Sequence, residues 1–380
     1  MSNRTITFKA ENGVEKPANV RFAENTLHKI IFKEFITERG DKIVNLRVAY
    51  RVFGKPNEAK NNIVLVFHAL TGDANCAGYT KEGVKVEGWW EELFEKEGGV
   101  PLDRYCVICP NHPSSCYGSS GPSDFEVGGS APLGPDFPPL NVRDLARVHY
   151  ELIRRLGIKR LKCVIGGSLG GMIAIEWAVN FPDAAEKVAV IAAPLANNAQ
   201  ALAYNHVQRR CFDIDPNFKG GRYYGGARPD KALSLARQMG MITFRHPGEF
   251  ARRFGRNTNY PTIERNKYYK IQSYLEHQGE KLLKRFDANS YIKLLELTDA
   301  HDISRGTGDF ETPLSRVKSE LLFVSVDSDV LYPPAEVEEI YNLARSKGAK
   351  ARYETITSIH GHDGFLIESV QLNTILKGFL

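Results

Sequence analysis

Short, nearly continuous apolar runs alternating with amphipathic segments constrain this chain more than any other feature. The runs Asn62 to His68, Arg104 to Cys109, Lys162 to Gly166, Lys187 to Ala192 and Glu320 to Val326 are rich in Val, Ile and Leu. Successive side chains of a strand point to opposite faces, so a strand apolar at every position is covered on both sides, as in the middle of a parallel sheet. Apolar residues at helical spacing occupy Val142 to Leu156, Met172 to Asn180, Ala335 to Lys347 and Leu366 to Phe379. Strand and helix in alternation predict an α/β protein with a mostly parallel, doubly wound sheet. Extended N-terminal segments, including Val44 to Phe53, are expected to form an antiparallel edge, and ARYETIT (Ala351–Thr357) reads as the last strand.

One block interrupts the alternation. Between about Asn197 and Thr307 the pattern is helical, at Pro229 to Met241, Pro247 to Phe254, Asn266 to Phe286 and Ala288 to Thr298, with no buried strand in view. The expected organisation is therefore a core in two parts, residues 1–196 and 308–380, with an α-helical lid inserted at 197–307.

Composition narrows the function classes. With 50 basic and 45 acidic residues in 380, the net charge is only +5, too little and too dispersed for a nucleic-acid partner. The N-terminal MSNRTITFKAENG lacks the apolar centre of a secretory signal and no run reaches about 18 apolar residues, so a cytoplasmic protein without a membrane partner is expected. Cys106 and Cys109 form a CxxC, but they fall three apart on a strand and face opposite ways; buried, reduced thiols are expected.

VIGGSLGGMI, residues 164–173, places Ser168 in G-x-S-x-G between an apolar strand and a helix, the setting of a nucleophile elbow. Its glycines let strand, turn and helix pack closely, and the helix N-terminus points its N–H groups at the serine. A serine nucleophile needs a histidine base and a carboxylate to orient it, from loops after later strands. LLFVSVDSDVLYPP offers Asp327 and Asp329; TSIHGHDGFLIE offers His360 and His362. Either member of each pair satisfies order and location. Oxyanion donors are expected from the backbone N–H of Leu169 and from the loop after IVLVF, at about Leu70. HGHD has no second His or Cys group at metal-ligand spacing, so no metal site is expected, and neither a dinucleotide fingerprint nor a P-loop lysine is present.

HALTGD, GWW, LDRYCVICPN, CYGSSGP, DFPPLNVRDLARVHYELIRRLGI, GGSLGGMIAIEWAVNFP, RFDANSY, DSDVLYPP and HGHDGFL together resemble the homoserine O-acetyltransferases, acyltransferases of methionine biosynthesis with the α/β-hydrolase fold. The resemblance runs from about Arg21 to the end. It implies Ser168 as nucleophile, Asp329 as triad acid and His362 as base. It also implies Asp363 as the partner of the substrate amine and Arg237, in Leu235-Ala236-Arg237, as the partner of its carboxylate. It further implies acetyl-CoA as a co-substrate, no bound cofactor, and a homodimer.

Two departures bear on substrate. Phe244 stands where the family usually has tyrosine, and Asn111-His112-Pro113-Ser114-Ser115 replaces a glycine-containing turn expected near the acyl group. These leave L-serine or another hydroxyl acceptor, or succinyl-CoA, as alternatives, with an esterase on the same fold beyond them.

Overall fold

The computed structural model describes residues 4–9, 22, 24, 26–81, 84–259 and 269–380. Along the chain come β1 (Thr5–Thr7), β2 (His28–Ile36), β3 (Lys42–Phe53), β4 (Ile63–Phe67), a small hairpin of β5 (Tyr79–Lys81) and β6 (Val84–Val86), α1 (Glu91–Phe94) and β7 (Cys106–Pro110). Next are α2 (Val142–Arg155), β8 (Leu161–Gly167), α3 (Leu169–Asn180) and β9 (Ala185–Ile191). The inserted helices are α4 (Ala199–Asp213), α5 (Asp230–Phe244), α6 (Pro247–Arg253), α7 (Lys270–Leu283) and α8 (Ala288–Asp299). The chain closes with α9 (Glu311–Leu314), β10 (Glu320–Val326), α10 (Pro334–Ser346), β11 (Ala351–Ile356), α11 (Gly364–Ile367) and α12 (Ser369–Phe379).

The main sheet runs β1-β3-β7-β4-β8-β9-β10-β11, with β2 on the other edge of β3. From β7 to β11 every pairing is parallel, whereas β3 is antiparallel to both β2 and β7. The expected antiparallel edge is thus present, though β2 has no counterpart among the strands expected from sequence. Alternation along each central strand feeds two cores. Leu65, Phe67, Cys106, Ile108 and Val164 pack with α2 and α3 on one face. Val64, Val66, Val107, Cys109 and Ile165 pack with α1 and α12 on the other. Each fully buried Val, Leu or Ile contributes about 1.5–3 kcal/mol, and the same parity explains why Cys106 and Cys109 are free thiols on opposite faces.

Strand order reverses around β4: the next strand of the main sheet along the chain, β7, lies on one side and β8 on the other. Loops leaving the carboxyl ends of β4 and β8 therefore diverge and leave a crevice, the usual ligand position of an open α/β sheet. Over that crevice sits the insertion. Its two ends are tied at a neck, where Asn197 N–H donates to His301 O (3.2 Å) and Ile303 N–H to Leu195 O (3.0 Å). Among the described residues it holds helices and isolated bridges but no strand. Its first helix, α4, was not anticipated; the expected helix at Asn266 to Phe286 is described from Lys270 to Leu283, and Asn266 to Tyr268 lie outside the described residues. The expected Leu366 to Phe379 helix is broken at Glu368 into α11 and α12. No described helix is long and apolar enough to cross a membrane.

Candidate active site

Ser168 lies between β8 and α3 with φ 57° and ψ −122°, a backbone that L-residues rarely adopt. The glycines flanking it are dictated by contact. A Cβ on Gly166 would sit 2.0 Å from Gly170 O, and one on Gly170 would sit 2.3 Å from Phe67 O. Strand, turn and helix close on one another only without those side chains.

The loops after β10 and β11 bring the remaining groups to the serine. Ser168 Oγ–H donates to His362 Nε2 (2.8 Å), and His362 Nδ1–H donates to Asp329 Oδ2 (2.7 Å). Asp329 is itself fixed, its Oδ1 accepting from Leu331 N–H (2.8 Å) and Tyr332 N–H (3.0 Å). Geometry separates the members of each pair. Asp327 Oδ1 instead accepts from Ser358 N–H (2.9 Å) and ties two loops together. His360 faces Glu249 of α6 at 3.3 Å, so the two histidines of HGHD point to different partners.

Burial disfavours the charged form of His362, but the Asp329 carboxylate, its hydrogen bond and the Asp363 charge outweigh it, and the imidazole ends above its ordinary value. A base must be neutral to accept a proton. The acid limb of kcat/KM is therefore expected above about 6.5, with the rate falling as pH drops through it; a limb at or below that value in the pH profile of acylation would contradict the assignment.

A cavity of about 250 Å³ opens beside the triad. The core contributes Ala69 to Gly72, Ser168, Leu169 and His362, and the insertion contributes residues of α4, α5 and α8. Leu70 and Leu169 both line it, and among the described residues neither backbone N–H is taken by a loop carbonyl. Half-buried Arg237 on α5 also lines it, with its guanidinium 5.6 Å from the Phe244 ring centroid and no hydrogen bond or ion pair to any described residue. Burial lowers its proton affinity, partly opposed by Tyr291 and Asp363.

Asp363 caps no helix with its side chain; it pairs with Arg245 at the end of α5 (3.1 Å). Burial raises its carboxyl against Arg245, His362 and Arg237. Arg245 also reaches Glu249 (3.2 Å), so through Arg245 the insertion is fastened to the loop that carries His362 and Asp363. Sequence reading missed Arg245, because such a pair joins distant segments and leaves no local signature. It also missed Tyr204, Asn205 and Gln208 of α4 and Thr298 of α8, which give the cavity its polar wall. One expectation is corrected: the Asn111 to Ser115 loop does not line the cavity but is buried behind the β4 loop, where His112 N–H donates to His68 Nε2 (3.3 Å).

The reversed sheet order, the strained serine between strand and helix, and the aligned Ser, His and Asp define the α/β-hydrolase class, and the family model described as alpha/beta hydrolase fold matches residues 62–361. Sequence relatives narrow this further. Homoserine O-acetyltransferase of Carboxydothermus hydrogenoformans is 39% identical over 356 residues, 93% of this chain and 94% of that one. The chain belongs to the homoserine O-acetyltransferase family. Among solved structures, homoserine O-acetyltransferase from Bacillus anthracis superposes with a TM-score of 0.88 at 26% identity, covering 93% of this chain and 97% of the other. Esterase E22 superposes with a TM-score of 0.86 at 23% identity over 93% of this chain and 100% of its own, a likeness of fold alone.

Proposed function

We propose that this protein transfers the acetyl group of acetyl-CoA to the side-chain hydroxyl of L-homoserine through an ester on Ser168. The observation that carries the reading is the aligned triad beside a cavity that also holds a carboxylate and an arginine with no ion pair among the described residues. Ser168 Oγ attacks the thioester carbonyl as its proton passes to His362 Nε2, and the N–H groups of Leu70 and Leu169 receive the oxygen's charge. His362 returns the proton as the CoA thiolate leaves. Homoserine then enters, its hydroxyl loses a proton to His362, its oxygen takes the acetyl from Ser168, and His362 returns the proton to the departing Ser168 Oγ.

A zwitterionic acceptor calls for one cation and one anion, and Arg237 and Asp363 meet that need. Arginine suits a carboxylate because two N–H groups meet two oxygens. Loss of a hydrogen bond to a charged group costs about 1.5–3 kcal/mol, so Arg237→Ala is expected to raise KM for homoserine about 10- to 100-fold. Acylation by acetyl-CoA without acceptor should stay near its original rate. An unchanged KM would remove Arg237 from acceptor binding.

Water competes for the acyl-serine, and the insertion helices over the cavity support transfer by restricting its access. Phe244, 6.0 Å from the His362 ring, presents no hydroxyl to the acceptor and keeps a second reading open within the same chemistry. Acetyl-CoA and succinyl-CoA assayed against homoserine and serine decide between them. Acetyl-CoA with homoserine should be best; a faster reaction with serine or succinyl-CoA would reassign the substrate, and CoA release indifferent to any amino acid would point to an esterase. The site calls for no metal or resident cofactor in this scheme. We further propose that the enzyme works in the cytoplasm, as a homodimer.

A further inference from the structure

Three buried histidines lie behind the β4 loop, and none of them lines the cavity. His68 is the residue that follows β4, His112 belongs to the loop after β7, and His149 lies on α2. The His68 and His112 rings stack with centroids 3.7 Å apart, and Phe67 packs against both His112 and His149. Burial holds His68 down at about 4 and His149 at about 3. His112 is held well below the ordinary imidazole value by burial and then by its two neighbours.

In the neutral state the hydrogen-bond pattern allows one tautomer for each ring. His68 faces the Ala69 carbonyl through Nδ1 (2.8 Å), so Nδ1 carries the proton and Nε2 is free to accept from His112 N–H. His112 Nε2 faces the His68 carbonyl (3.0 Å) and must donate, which leaves His112 Nδ1 as an acceptor. His149 Nε2, 3.0 Å away, must then donate to it. His149 Nδ1 becomes a bare acceptor, and it is a buried atom with no hydrogen-bond partner among the described residues.

The end of this chain is the peptide that joins Ala69 to Leu70. Its carbonyl is held by the His68 ring and by Gly72 N–H (3.0 Å). In a trans peptide the N–H points opposite to the carbonyl, so fixing the Ala69 oxygen fixes the direction of Leu70 N–H. Even Gly72 fits this arrangement, since a Cβ there would lie 2.8 Å from His68 Cβ. We propose that His149, His112 and His68 are positioning residues that aim the Leu70 N–H as an oxyanion donor. The proposal rests on the reading of Leu70 in the proposed function.

His149→Leu removes the outermost donor without touching the cavity, and His149→Gln restores an N–H in its place. The readouts are the acylation rates with acetyl-CoA and with p-nitrophenyl acetate, KM for homoserine, and the inhibition constant of a trifluoromethyl ketone. The ketone adds Ser168 Oγ to its carbonyl carbon while the serine proton passes to His362, and it leaves a negative oxygen in the hole. A misplaced group costs up to about 100-fold in rate, so His149→Leu is expected to slow acylation about 10- to 100-fold and to weaken the ketone by the same factor, with KM for homoserine unchanged. His149→Gln should recover both. Ile153→Ala, a buried change one turn along α2, should lower thermal stability without weakening the ketone.

Wild-type ketone affinity in His149→Leu, or equal weakening in Ile153→Ala, would overturn the proposal. Should His149→Leu not fold, His149→Met reads the same quantities. If the wild-type protein takes no acetyl from acetyl-CoA, the proposed function fails, while p-nitrophenyl acetate and the ketone still report on the hole.

Discussion

Ser168→Ala is expected to lose nearly all acetyl transfer, on the order of a million-fold in kcat, as when a triad nucleophile is removed. The loss should be chemical rather than structural. The strained turn is held by backbone contacts, including Ser168 N–H to Ile191 O (2.9 Å) and Met172 N–H to Ser168 O (3.0 Å), and alanine keeps both. Gly166 and Gly170 still close the strand against the helix. His362 keeps its bond to Asp329, so the base stays oriented with nothing to deprotonate. CoA release in the presence of homoserine, measured beside a thermal melt, separates the two outcomes. A variant that melts as the wild type does and turns over normally would remove Ser168 from the chemistry.

Asp329→Asn should cost on the order of ten-thousand-fold, and the route is a tautomer. Two backbone N–H groups point at Oδ1, so the amide of asparagine must place its oxygen there. Its NH2 then faces His362 Nδ1 and turns that nitrogen into an acceptor. The ring proton moves to Nε2, which meets Ser168 as a donor and can no longer take its proton. With the carboxylate gone, its support for the imidazolium goes too, and the acid limb of the pH profile should move down. Asp327→Asn is the contrast: that side chain serves Ser358 N–H, which an amide oxygen also accepts, so kcat should stay near wild type. The reverse pattern would exchange the roles of the two aspartates.

How much of this was legible depended on where the physical signal lay. β4 and β8 are buried on both faces and announce themselves as apolar runs. β2, HKIIFKEFI, is partly exposed and reads less plainly. In α4 the cavity-facing Tyr204, Asn205 and Gln208 interrupt any apolar stripe, so the helix that supplies much of the polar wall left a weak helical pattern. The elbow was readable because Gly166, Ser168 and Gly170 fall within five consecutive residues, whereas the choice between Asp327 and Asp329 turns on which loop N–H groups each carboxylate meets. The Asn111 to Ser115 loop was expected at the acyl group because of its place in the chain. Packing puts it one layer deeper, against His68.

The most direct test of the covalent account is intact mass after mixing the protein with acetyl-CoA and no acceptor. One acetyl group should appear in place of one hydrogen, map to Ser168, and disappear when homoserine is added as O-acetylhomoserine forms. Full-rate transfer with no acetylated protein at any time would contradict it.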